Sequence, residues 1–169
     1  MEIFPGRHLT YCTNIHPGEE FSDIRRNLRN EVARVKSEVS PHRDFGLGLR
    51  LSRRACQELL EGENVRRLEE LCRELGMYIF TLNGFVYGEF HDTRVKEKVY
   101  LPDWREEARL SYTRDLALVL SRLLGKEPWG SISTVPGGFK RDIATEEDRL
   151  RVACRSEERR VGKECRSRW

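Results

Sequence analysis

Residues 45–84, FGLGLRLSRRACQELLEGENVRRLEELCRELGMYIFTLNG, decide how the chain is built. Phe45–Leu51 is a compact apolar run bounded by turn signals, which suits a buried strand. Ser52 can cap a helical region reaching Leu75 and broken near Gly62, with Leu68, Leu71, Cys72 and Leu75 on its inner face and Gly76 as the stop. Met77–Leu82 is a second short run of strand formers. The stretch therefore reads β-α-β.

The same alternation extends in both directions. Upstream, Phe21, Ile24, Leu28, Val32, Val35 and Val39 recur at helical spacing, so the sequence predicts one amphipathic helix over 21–39, ended by Ser40-Pro41. Leu9–Ile15 is predicted as the strand before it. Downstream, Asp103 and Glu106 fit a capping box for a third helix burying Ala108, Tyr112, Leu116, Val119 and Leu123. Gly130–Val135 is predicted as the fourth strand, and Thr145, followed by three acidic residues, as the start of a fourth helix.

Four βα units call for a parallel sheet with helical crossovers. A closed barrel and an open doubly wound sheet both satisfy that order. No G-x-G-x-x-G follows the first strand, which lowers the dinucleotide-binding reading. Segments after strands carry His, Arg, Asn and aromatics, whereas those before strands are short, which favours the first half of a (β/α)8 TIM barrel with its working face at the strand C-termini.

A 169-residue chain with 38% hydrophobic residues supports a single core. Its net charge of +3 is local: six of the 31 Lys/Arg and three of the 28 Asp/Glu fall in residues 155–169, and the remainder is balanced. No nucleic-acid partner is expected of such a body. The terminal stretch RSEERRVGKECRSRW back-translates to codons beginning AGATCGGAAGAGC and resembles a translated sequencing-library adapter. Residues 1–154 are accordingly expected to be a truncated barrel domain, and 155–169 a disordered tail of foreign origin. Cys12, Cys56, Cys72 and Cys154 lack a C-x-x-C spacing and are expected as reduced thiols. With neither a signal-peptide pattern nor an apolar run of about 18 residues, a soluble cytoplasmic protein is expected.

The connection Asn83–Pro102 is too long for a plain βα turn, and it reads as an active-site lid or as a surface insertion packed on the rim. Phe85, Tyr87 and Phe90 would cover an apolar or sugar-like ring, while His91, Arg94 and Lys96 would meet a hydroxyl, carboxylate or phosphate. His16 is a proton carrier, a substrate donor, a metal ligand or a hydrogen-bonded structural residue. Arg50, costly to bury alone, is a substrate clamp or half of an internal ion pair, and the internal role is the favoured one. Asn83, Ser131 and Ser133 can hydrogen-bond a polar ligand or one another. Val135–Lys140 is an anion-binding nest or, more simply, a turn. His8 and His42 form no metal-ligand spacing with His16 or His91.

Four segments, LTYCTNIHPGE (9–19), FGLGLRLS (45–52), FTLNGFVYGEFHDTRVKEKVYLPDW (80–104) and STVPGGFK (133–140), together resemble the EboE family of metabolite traffic proteins in the xylose isomerase-like superfamily. The resemblance implies a small polar metabolite as ligand and a place beside a UbiA-like membrane prenyltransferase and other ebo-cluster proteins. It also implies that His16, Arg50, Asn83, Phe85, His91 and Lys96 belong to the first half of a pocket. Members of the superfamily that isomerise or epimerise sugars bind a divalent metal through later strands, so this fragment is expected to lack the ligands and to be inactive. Two readings follow for the whole protein: a metal-dependent isomerase or epimerase, or a binding protein that presents its metabolite to a membrane partner. An abasic-site nuclease, the third, needs a basic groove that the charge balance does not supply. Half a barrel with two free strand edges is further expected to self-associate.

Overall fold

A computed structural model describes residues 1–88, 96–125 and 129–164, with side chains omitted at 96–97 and beyond Arg155. The chain is α/β. A short antiparallel hairpin, β1 (Glu2–Phe4) and β2 (Arg7–His8), precedes a four-stranded parallel sheet. The sheet is made of β3 (Thr10–Cys12), β4 (Phe45–Arg50), β5 (Met77–Asn83) and β6 (Ser131–Ser133), in the order β3-β4-β5-β6. The order advances in one direction without reversal. Between successive strands run α1 (Phe21–Asn27) with α2 (Ala33–Val39), α3 (Arg53–Leu60) with α4 (Asn64–Glu74), and α5 (Glu107–Leu123). Helix α6 (Glu146–Glu164) follows β6 and runs on past Cys154 into the segment expected to lack structure.

One apolar layer joins helices and sheet. Leu47, Leu49 and Leu51 are 0–1% exposed and pack with Leu28, Val32, Leu59, Leu68, Ile79, Leu82 and Leu116. Each such side chain contributes about 1.5–3 kcal/mol by leaving water. Because α1 touches α3, and α3 touches both α4 and α5, the helices form one layer on this side of the sheet. Ser52 caps α3 as expected: its Oγ accepts from the Ala55 N–H at 3.1 Å and donates to the Glu19 carbonyl at 2.7 Å.

Several boundaries differ from the sequence reading, each for a local reason. The first strand stops at Cys12 and Thr13–Ile15 turn into a 3-10 helix, because the Thr13 hydroxyl accepts the Arg50 N–H at 2.9 Å in place of a ladder carbonyl. The long helix over 21–39 contains a π turn at Leu28–Val32. That wide turn delays the inner face by one position, so Ser40 is buried and Val39, expected inside, is 59% exposed. Helix α5 starts at Glu107 rather than Asp103: the Asp103 N–H does reach Glu106 Oε1 at 3.2 Å, but the Asp103 carboxylate is taken by Arg105. The face of α5 is set by Arg109, Tyr112, Leu116 and Val119, leaving Ala108 exposed. Thr145 and Asp148 form a reciprocal cap at the start of α6.

Strand β5 holds a bulge. Leu47 pairs with Ile79 but Gly48 pairs with Thr81, so Phe80 is an extra residue. Below it Tyr78 lies away from the helices, its hydroxyl close to where a Cβ on Gly46 would stand, and above it Thr81 does the same beside Gly48.

Candidate substrate-binding face

The sheet face opposite the helices is polar. In one row across the strands, Cys12, Gly48, Thr81 and Ser131 are register partners; two residues further along, Arg50, Asn83 and Ser133 are. Thr81 Oγ1 and Ser131 Oγ are 2.8 Å apart, and the Ser133 hydroxyl donates to Asn83 Oδ1 at 3.0 Å. Cys12, Ser131 and Ser133 are exposed and Asn83 is half-buried, so the rows face solvent. The side chains small enough to leave this face open are those that alternate with the core leucines, as strand geometry requires.

At the strand N-termini the face has an aromatic floor. The hairpin brings His8 onto β5, its Nδ1 2.8 Å from the Tyr78 hydroxyl and its ring 4.7 Å from that of Phe80. Trp129 meets the edge of Phe80 at 5.7 Å between centroids. The polar rows thus open toward the strand C-termini.

Arg50 sits at that open end, 5% exposed. Its guanidinium donates to Glu19 Oε1 at 2.7 Å, to the Gly18 carbonyl at 3.1 Å and to the Gly88 carbonyl at 2.9 Å. The favoured internal role fits these contacts: Arg50 ties the loop after β3 to the loop after β5, and Glu19, which the sequence reading did not single out, offsets its charge. The signal for Glu19 was the need of a strand arginine for an anion, without any indication of which carboxylate supplies it.

The other candidates divide. His16 lies on the helical side, with Nε2 3.0 Å from the Tyr11 hydroxyl. There it lines a cavity of about 20 Å³ with Thr13, Asn27, Leu28, Leu49 and Arg50, room for about one water. Phe85 and Tyr87, both half-buried, pack against other rings. Phe85 meets Tyr100 edge-on at 5.6 Å beside Trp104, and Tyr87 meets Tyr112 at 5.2 Å. Phe90, His91 and Arg94 lie outside the described residues, as does the side chain of Lys96. In the segment after β6, Gly137 has φ +89° and its carbonyl accepts the Trp104 N–H at 2.9 Å. The Asp103 carboxylate stands where a Cβ on Gly138 would be, 2.6 Å away, so the Pro-Gly-Gly turn is filled from inside the protein by a negative group. That contact suits a packing turn.

Chemically, the face offers hydroxyls, an amide, a thiol and one neutralised guanidinium. It can hydrogen-bond a polyhydroxylated molecule. Among the described residues no group of three or more His, Cys, Asp or Glu is placed to hold a metal ion, and no helix is long and apolar enough to cross a membrane. Compared with known proteins, the chain matches no family model, no curated protein and no solved structure.

Proposed function

We propose that the chain is the first part of a xylose isomerase-like (β/α)8 barrel of the EboE kind, and that its polar sheet face is half of a pocket for a small, sugar-like metabolite. The observation that carries this reading is the in-register row Arg50–Asn83–Ser133 at the strand C-termini, above Thr81 and Ser131. Barrel enzymes and binding proteins place ligands at that end of the strands. Unidirectional strand order with helices in one layer is what a barrel segment needs, and the resemblance of residues 9–19, 45–52, 80–104 and 133–140 supports the EboE assignment. Presentation of the metabolite to a UbiA-like membrane prenyltransferase, from the cytoplasmic side, belongs to the same proposal.

A metal-dependent isomerase or epimerase is the second reading. The donors on this face do not suit a divalent cation: they are hydroxyls and an amide, and Glu19 is already held by Arg50. Ligands for such an ion would come from outside the described residues, and no reaction step is assigned to it. Saturation-transfer NMR on the whole chain with D-xylose and xylitol as probes tests the pocket. Transfer that disappears in an Asn83→Ala, Ser133→Ala double variant supports it. No transfer to either probe, or transfer indifferent to the two substitutions, rejects it.

A further inference from the structure

Arg109 is 0% exposed. Its Nε donates to the Pro102 carbonyl at 2.7 Å and its Nη1 to the Gly84 carbonyl at 2.9 Å. Its guanidinium carbon lies 5.8 Å from the Tyr87 ring centroid and 5.6 Å from that of Tyr112. Gly84 and Pro102 are the two roots of the connection between β5 and α5. A single buried cation therefore holds both ends of one loop.

Such a group is costly to bury unless dipoles and ring faces replace the water it has lost. Here two carbonyls and two tyrosines do so, helped by the nearby charges of Asp103 and Glu106, and burial pushes the guanidinium pKa down from its usual value. Withdrawing either root would leave the charge less compensated, so the position of one root depends on that of the other. The surroundings reinforce the first root. The Val86 carbonyl accepts from the Tyr112 hydroxyl at 3.4 Å, that of Tyr87 from the Arg53 N–H at 2.8 Å, and that of Gly88 from Arg50. Four of the five carbonyls from Gly84 to Gly88 are thus held from outside the segment.

We infer that Arg109 is a positioning residue that locks the two roots of the β5–α5 connection to each other and to α5, fixing the rim of the polar face as one cooperative unit. The inference stands apart from any choice of substrate. Residue-resolved amide exchange tests it. Gly84 and Phe85 report on the first root, through their bonds to the Ser133 carbonyl and Asn83 Oδ1; Leu101 and Trp104 report on the second, through theirs to the Lys98 and Gly137 carbonyls. In the unsubstituted chain both pairs should show a common opening free energy once each amide's intrinsic exchange rate is divided out. Arg109→Met should accelerate both pairs together by about tenfold or more, as loss of a charge-assisted hydrogen bond implies. Cys72 in α4 should stay unchanged, and Arg109→Lys should give an intermediate rate. The inference is overturned by roots with different opening free energies in the unsubstituted chain, which needs no variant to fold. Acceleration of one root alone, or an equal acceleration at Cys72, overturns it as well.

Discussion

Alanine at Gly46 and alanine at Gly48 are expected to change stability in opposite directions. Both glycines lie on β4 and turn the same way, toward the polar face. A Cβ on Gly46 would stand 2.8 Å from the Met1 nitrogen, 3.0 Å from the Leu9 carbonyl oxygen and 3.1 Å from the Tyr78 hydroxyl. Two of those neighbours are backbone, so the N-terminal hairpin has to move, and overpacking of this kind costs about 1–3 kcal/mol. A Cβ on Gly48 would meet Thr81 Cγ2 at 3.5 Å, Thr10 Oγ1 at 3.7 Å and the Cys12 Cα at 3.8 Å, all ordinary contacts. Gly48→Ala removes freedom from the unfolded chain at no steric cost and should stabilise by about 0.4–1 kcal/mol. Urea titrations followed by far-UV circular dichroism resolve the difference, since about 1 kcal/mol shifts a midpoint by roughly 0.3–1 M. A Gly46→Ala variant as stable as the parent would show that the hairpin does not seat on β4 as described, and a Gly48→Ala variant that loses stability would show that the row from Cys12 to Thr81 is more crowded than described. The second variant also places a methyl in the row between Cys12 and Thr81, so a weaker saturation-transfer signal in a stabilised protein would locate the ligand there.

Acid should loosen α6 over a defined range. The hydroxyl and N–H of Thr145 and the Arg105 guanidinium hold the Asp148 carboxyl at about 2, below its unfolded value. Its stabilising effect is therefore complete above about pH 4 and lost as pH falls through about 2; thermal melts of the parent should show this slope and those of Asp148→Asn should not. Thiol labelling at mild pH should modify Cys12 and Cys154, which are exposed, before Cys56 and Cys72, whose thiols burial pushes up to about 12. Modification of all four at one rate in the folded chain would contradict the core. Sedimentation velocity should show concentration-dependent association through the edges β3 and β6, and a single monomer boundary at every concentration would count against open edges.

Much of the architecture was legible because hydrophobic spacing is a local property. The β-α-β unit over 45–84, the Ser52 cap and the break near Gly62 all follow from residues within one turn of each other. The π turn was not legible, since the spacing of Phe21, Ile24, Leu28 and Val32 is compatible with either helix and the choice appears only in the burial of Ser40 over Val39. The hairpin was missed because two- and three-residue strands carry no period. On the polar face, the strand-end positions of Asn83 and Ser133 were legible. Arg109 was not, because a charged residue on a helix reads as solvent-facing unless the carbonyls that receive it, 25 and 7 residues away, are known. Nor does an aromatic in a polar loop announce its packing partner, which for Tyr87 is Tyr112.

The extra residue at Phe80 makes the two ends of β5 run out of phase. Met77 and Ile79 point into the core from odd positions, Leu82 from an even one, and Thr81 and Asn83 are free to face outward because the count has slipped by one. A regular ladder that kept Phe80 and paired it with Gly48 would give a worse protein, with Asn83 driven into the leucines and Leu82 turned out to solvent. In this strand the irregularity is what carries the meaning: the lower half keeps one phase, the upper half the other, and Phe80 is the punctuation between them.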